Sequence, residues 1–232
     1  MKIDYRSIEA FKNISDSSIE LIENDAEYLT FPMGAQVFDK NIIPNKILVI
    51  LSGEARLLNY YKSKIDTISK LKNNDFIGLT SLLRAKSCEF VSASEKLLVL
   101  AISDQIIIKL YQEDSEFRNW CNRKISISEI YDISIYFDEK YSRNDINLKD
   151  IVKLIQENIS FEIIKNGDKV SENIDCVSIA GSSNIVSKDF GELINQNELI
   201  NTKGPFPAKI LYLKESIFKQ LNEVKPIIQP TN

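Results

Sequence analysis

The 232-residue chain contains no histidine. That absence excludes Ser-His-Asp and Cys-His catalysis, histidine-ligated zinc and histidine-based pH switching within it. Cysteine is scarce: Cys88, Cys121 and Cys176 lie far apart, are odd in number and include no Cys-x-x-Cys pair. This argues against a disulfide framework or a zinc site and for free thiols in a reducing compartment. No stretch approaches the roughly 18 uncharged apolar residues of a transmembrane helix, so no direct membrane insertion is expected. The opening Met1-Lys2-Ile3-Asp4-Tyr5-Arg6 has no apolar signal core, so a cytoplasmic location is expected. A Gly-x-x-x-x-Gly-Lys-Ser/Thr loop is missing, and no pair of carboxylates or lysines stands at a spacing for acid–base work. The many Asp, Glu and Lys side chains read as solvated surface. An enzyme is therefore not expected, and no cofactor or metal is implied. Positive charge is not in excess either. The formal net charge is −4, and from Arg143 onward 11 Lys and Arg face 12 Asp and Glu. Nucleic acid, which selects basic faces, is not an expected partner.

Hydrophobic residues make up 44% of the chain, enough for one large or two small domains. Ser15 or Asp16 can cap a short helix with Ile19 and Ile22 on one face. Short strand-like segments follow: Tyr28 to Phe31, Val37 and Phe38, Ile47 to Leu51, Glu54 to Asn59, Thr67 to Leu71 and Lys96 to Ile102. Ile47 to Leu51 is apolar without interruption, as in a strand buried on both faces. Turn signals between short strands, with no helical pattern between them, predict a sandwich or barrel. Ser103 caps a helix carrying Ile106, Ile107 and Leu110. A second helix is expected from Asp114, with Trp120, Ile127, Ile130 and Phe137 forming a heptad-like stripe that serves either a homodimer or packing on the strands. Tyr141-Ser142-Arg143-Asn144-Asp145 reads as a linker. Beyond it come a short helix, Leu148 to Ile155, and three strands, Phe161 to Ile164, Cys176 to Ala180 and Ile210 to Leu213. The ending Ala208 to Leu221 repeats the strand–break–helix order of Glu95 to Leu110. The fold class read from this order is α+β, mainly β: a sandwich or barrel with flanking helices in residues 1–141. A smaller α+β unit in 142–232 reads as a reduced repeat of it.

Phe76-Ile77-Gly78-Leu79-Thr80-Ser81-Leu82-Leu83, followed by Ser87-Cys88-Glu89-Phe90-Val91, resembles the phosphate cassette of the cyclic-nucleotide-binding family. The resemblance covers roughly residues 11–137 and implies that the first unit is a double-stranded β-helix jelly roll, cupin-like. That family's pattern is Phe-Gly-Glu-x-Ala-Leu-Leu and then Pro-Arg-Ser/Thr-Ala. Its glutamate takes the ribose hydroxyl, and its arginine takes the cyclic phosphate through a planar fork. Here Gly78, Leu82 and Leu83 match, Leu79 stands at the glutamate position, and Ser87, or Cys88 with a shift of one, stands at the arginine position. Each lost charged partner costs about 1.5–3 kcal/mol, and losing both weakens a micromolar site by roughly two to four decades. A cyclic nucleotide is therefore not an expected ligand. Gly78, Leu79, Thr80, Ser81, Leu82, Leu83, Arg84, Ser87 and Cys88 remain the candidate pocket, with Arg84 and Lys86 more readily read as solvated loop charges. Phe190-Gly191-Glu192-Leu193 repeats part of the pattern but reads as a turn into a strand.

Ile77 to Arg84, Cys88-Glu89, Ala93-Ser94, Val177 to Gly181 and Lys203 to Leu211 also resemble the β-roll region of cyanobacterial-type exporters that join an ATP-binding cassette to a papain-like peptidase. This resemblance implies a regulatory or interaction module with a protein or peptide partner, accessory to peptide export. The alternatives are a small-molecule sensor, for which Leu79 and Ser87 suggest a less anionic ligand, and a transcription regulator of the cyclic-AMP-receptor type.

Overall fold

The structure, a computed structural model, describes residues 3–141 and 147–222. Helix α1 (Asp16–Asp25) starts where Ser15 accepts the Ser18 amide. Eight strands follow: β1 (Glu27–Phe31), β2 (Gln36–Phe38), β3 (Lys46–Ser52), β4 (Ala55–Tyr61), β5 (Lys64–Leu71), β6 (Phe76–Ile77), β7 (Phe90–Ala93) and β8 (Leu97–Ser103). They form two antiparallel four-stranded sheets, ordered β1-β8-β3-β6 and β2-β7-β4-β5. Strands β6 and β7 flank the cassette-like run and were not among the expected strands. The five-residue helix α2 (Leu79–Leu83) lies between them.

Strand β3 is buried on both faces, as the unbroken run implied. Leu48 and Ile50 face the space between the sheets with Ala55, Leu57, Val91, Val99 and Ala101. Ile47 and Val49 face outward, onto helices. Those helices are α1, α3 (Asp104–Glu113) and α4 (Ser115–Cys121). Asp114 caps α4 through the Glu116 and Phe117 amides and also accepts the Ser15 amide and the Ser18 hydroxyl, which ties α1 to α4.

The heptad-like stripe does not form. The chain leaves the helix at Asn122, and helix α5 (Ile127–Tyr141) starts afresh. The cause is a capping box: the Ser126 amide donates to Glu129 Oε2 at 2.6 Å while Ser126 Oγ accepts from the Ser128 amide. Trp120 stays with α4 and packs on Phe76, ring centroids 5.0 Å apart. Ile127 reaches the core between the two sheets. Ile130 and Phe137 are buried against the rest of the chain. All four side chains, expected as one stripe serving either a homodimer or packing on the strands, pack within the chain, and the capping box divides them between two helices.

Helix α6 (Leu148–Gln156), strands β9 (Ile159–Ile164), β10 (Cys176–Ala180), β11 (Leu193–Ile194) and β12 (Ala208–Lys214), and helix α7 (Glu215–Asn222) follow. The expected linker, Tyr141 aside, lies outside the described residues. The strands form one antiparallel sheet, ordered β9-β12-β10-β11. Ile179, Leu211 and Leu213 face α5, α6 and α7. Ile164, Ala180, Ile194, Ile210 and Tyr212 face a second core under the loops, with Val170, Ile185 and Ile200.

The first and third sheets share more than their order. Leu48 pairs with Ala101 and Ile77, and Ser178 pairs with Tyr212 and Ile194. Phe31 pairs with Leu97, and Ile164 with Ala208. The turn before β6 has the Asn74 amide on the Ile50 carbonyl and the Ile50 amide on the Asp75 carbonyl. The turn before β11 has the Gly191 amide on the Ala180 carbonyl and the Ala180 amide on the Glu192 carbonyl. The helix that follows begins with Asp104 donating to the Asn45 carbonyl in one case and Glu215 donating to the Asp175 carbonyl in the other.

Candidate functional site

The candidate residues cluster around α2. Gly78 sits at φ +91° just before the helix, a conformation that a side chain resists, and a Cβ there would meet Pro44 Cγ at 2.8 Å and Phe38 Cζ at 3.0 Å. The loop between β2 and β3 therefore lies directly on the cassette glycine. Ser87, expected near the arginine position, tethers that loop instead, its hydroxyl donating to the Lys40 carbonyl. Leu79 and Leu82 are buried among α1, α3 and the first sheet. They point into the helix-facing core, so Leu79 holds the helix down and presents no group to a ligand. Leu83 packs at the edge of the same core, and the Thr80 carbonyl accepts from the Arg84 amide.

The residue that sequence reasoning missed is Glu89, which it had placed with the solvated carboxylates. Glu89 is buried and turns its carboxylate onto the start of α2. Oε1 accepts the Gly78 amide at 3.0 Å, and Oε2 accepts the Ser81 amide and the Ser81 hydroxyl, both at 2.9 Å. Burial pushes the Glu89 carboxyl above the ordinary glutamate range, and the three hydrogen bonds pull it back only in part. Cys88 is beside it, Sγ 3.7 Å from Ser81 Oγ. Burial pushes the Cys88 thiol up to about 11, against the pull of Arg84, so it is a neutral packing group at neutral pH. The signal for Glu89 was a glutamate beside an apolar strand, a pattern shared by many surface residues.

Arg84, read as a solvated loop charge, is 1% exposed. The correction has a physical reason: helix α5 and the loop after β10 supply acceptors that replace water. Arg84 Nε donates to the Gly181 carbonyl at 2.8 Å, Nη2 to Asp132 Oδ2 at 3.2 Å, and Nε also lies 3.4 Å from Glu129 Oε1. Its carbonyl accepts the Ser183 amide at 2.9 Å. Phe190 covers the guanidinium, 5.0 Å from ring centroid to Cζ, and Lys86 Nζ lies 4.7 Å over the same ring. Lys209 Nζ, from β12, completes the cluster on Glu129 Oε1 at 2.7 Å. Burial alone would lower the Arg84 pKa, but the Cys88 thiolate that forms at high pH and the carboxylates of Glu129 and Asp132 outweigh it and raise the pKa. The side chain thus faces the third sheet, not the space between the first two, and Nη1 has no hydrogen-bond partner among the described residues.

Phe190-Gly191-Glu192-Leu193 is the turn into β11, as expected. Gly191 stands at φ +83° against the ring of Tyr136. Among the described residues no group of His, Cys, Asp and Glu could hold a metal ion, and no helix is long and apolar enough to cross a membrane.

No protein-family model and no curated protein matches the chain. The solved structures it is similar to include cyclic-nucleotide-binding proteins. The regulatory domain of Toxoplasma gondii PKA with cAMP is 10% identical, with 94% of this chain and 88% of that one covered and a TM-score of 0.45. The Thermus thermophilus catabolite activator protein is 16% identical over 62% of this chain and 79% of its own, with a TM-score of 0.44. A cyclic nucleotide-binding-like protein of Brucella abortus is 19% identical over 48% of this chain and 100% of its own, with a TM-score of 0.42. The fold itself is carried by the strand order and registers above: mixed α and β, with antiparallel sheets flanked by helices.

Proposed function

We propose that this chain is a non-enzymatic regulatory module of cyclic-nucleotide-binding-like fold whose cassette is filled by its own Glu89. The observation that carries this reading is the Glu89 carboxylate on the amides of Gly78 and Ser81 and the Ser81 hydroxyl. Those donors suit an anion, and an internal one already takes them. A cyclic phosphate would have to expel a buried carboxylate and find a new cation, because Arg84 is engaged elsewhere. The cassette then acts as a joint. Its arginine grips the third sheet through Gly181, so the position of α2 and that of the second unit are linked.

The same reading takes the first unit as a cupin-like jelly roll and the second as a reduced repeat of it. The matched pairings of the first and third sheets support the repeat. In the second unit a short turn replaces the cassette, with Glu198 Oε2 accepting the Asn195 amide where Glu89 accepts that of Gly78. A cytoplasmic protein or peptide partner, in an export apparatus, rests on the sequence resemblance alone. A homodimer would need faces other than the α4 and α5 stripe. A transcription regulator gains no support from the described residues after α5, where α6 leads into an antiparallel sheet.

Calorimetric titration of the whole chain with cyclic AMP and cyclic GMP tests the filled cassette. No saturable heat is expected up to about millimolar ligand. Binding with a dissociation constant on the order of micromolar would overturn the reading.

A further inference from the structure

We propose that the groove at the mouth of the two-sheet unit, beside the cassette and separate from it, binds a small, uncharged, mainly apolar molecule. This deepens the regulatory reading above, on which its significance as an input rests, by naming what the module senses. The groove has a volume of about 510 Å³, within the roughly 300–1,000 Å³ of small-molecule sites. Phe31, Phe38, Ile42, Ile43, Pro44 and Leu48 supply its apolar wall. Ile42 and Ile43, adjacent in the loop, are 62% and 43% exposed, an arrangement that costs hydration free energy unless something covers it.

The polar lining selects the ligand class. Only Asp39, Asn45 and Lys46 contribute polar side chains. Lys46 Nζ is already paired with Glu27, and Asp39 already accepts from Gln36 and from the Asn41 amide. The charges at the rim cancel and are engaged, so nothing there rewards an ionic ligand. The groove's size fits a molecule of about 15–20 non-hydrogen atoms. Phe38 and Pro44 line the groove and also touch the space in front of Gly78. A ligand that shifts them would press on the cassette, and through Arg84 on the third sheet.

The test uses the uncharged fluorophore N-phenyl-1-naphthylamine with the whole chain. Expected is saturable one-to-one binding with a dissociation constant on the order of 10–100 µM. Ile42→Asp and Ile43→Asp should each weaken it about tenfold or more, whereas Val186→Asp, another exposed apolar position, should leave it unchanged. 1-Decanol should displace the probe at concentrations at least about tenfold lower than decanoate does. Both groove positions are exposed, so far-ultraviolet circular dichroism should show all variants folded. Unsaturable binding, or equal binding in the groove variants and Val186→Asp, would overturn the site. Displacement by decanoate as effective as by decanol would overturn the uncharged class. These failures leave the cyclic-nucleotide titration untouched, because that test does not involve Ile42 or Ile43.

Discussion

Glu89 is the residue on which the local chemistry turns. A carboxylate moved out of water normally costs several kcal/mol unless hydrogen bonds replace its hydration. Here two amides and a hydroxyl do so, but burial still leaves its pKa above the ordinary value. The sign of the pH effect follows. A raised folded-state pKa means the stabilising term is complete below the unfolded pKa and is lost as pH rises through the folded value. Glu89→Gln removes that term at every pH, and its amide nitrogen meets a backbone donor, at a cost of about 1–3 kcal/mol. The gap in unfolding free energy between parent and variant should therefore narrow as pH rises through and above the ordinary glutamate range. Urea unfolding across that range measures it, and a gap that stays constant or widens would rule out a buried, upward-shifted carboxyl at this position.

At the scale of elements, the strands were legible where the pattern was long or doubly buried. Ile47 to Leu51 and Lys96 to Ile102 announced β3 and β8 through continuous apolar character. Strands β6 and β7, of two and four residues, were not, because so short a pairing leaves no period to read. The helix after Asp114 was read through its break because Trp120, Ile127 and Ile130 keep a helical spacing. The Ser126-x-x-Glu129 box that divides it was present in the sequence and is the stronger local signal. The candidate pocket was legible as a place and not as an arrangement: Gly78 to Cys88 do cluster, but burial of Arg84 and Glu89 depends on the third sheet and on β7, which no local pattern specifies.

The turn before β11 offers a clean measurement at this scale. Gly191 combines φ +83° with a Tyr136 ring atom 2.6 Å from where a Cβ would stand, whereas Gly167 at φ +87° has nothing within 4 Å. Gly167→Ala should cost about 1–2 kcal/mol for the backbone alone. Gly191→Ala should cost about 1–3 kcal/mol more, because Tyr136 must move in a packed core. Chemical denaturation of the two variants gives the difference directly, and equal losses would mean that α5 does not rest on this turn.

Over the whole molecule, the two units meet through a core and a charge cluster of different character. The α5 face, Ile130, Ile133 and Phe137, joins α6, α7 and the third sheet by apolar burial, which is not directional. The Arg84, Glu129, Asp132 and Lys209 cluster is directional, and it fixes which way the third sheet faces the cassette. Breaking a buried ion pair from one side leaves an uncompensated charge, and removing the arginine should cost about 3–5 kcal/mol. That cost should fall unevenly. Arg84→Met keeps the volume and the α2 packing but releases Gly181 and Glu129, so amides of Cys176–Ala180 and Ala208–Lys214 should exchange faster while those of Lys46–Ser52 and Leu97–Ser103 keep their protection. Lys86→Met, which removes a charge from the rim of the same cluster, should change neither set by more than about 1 kcal/mol. Hydrogen exchange read segment by segment decides the matter. Uniform loss across both sets would make Arg84 a general stabiliser of one cooperative fold, and loss confined to β10 and β12 would make it the link through which the cassette and the second unit sense each other.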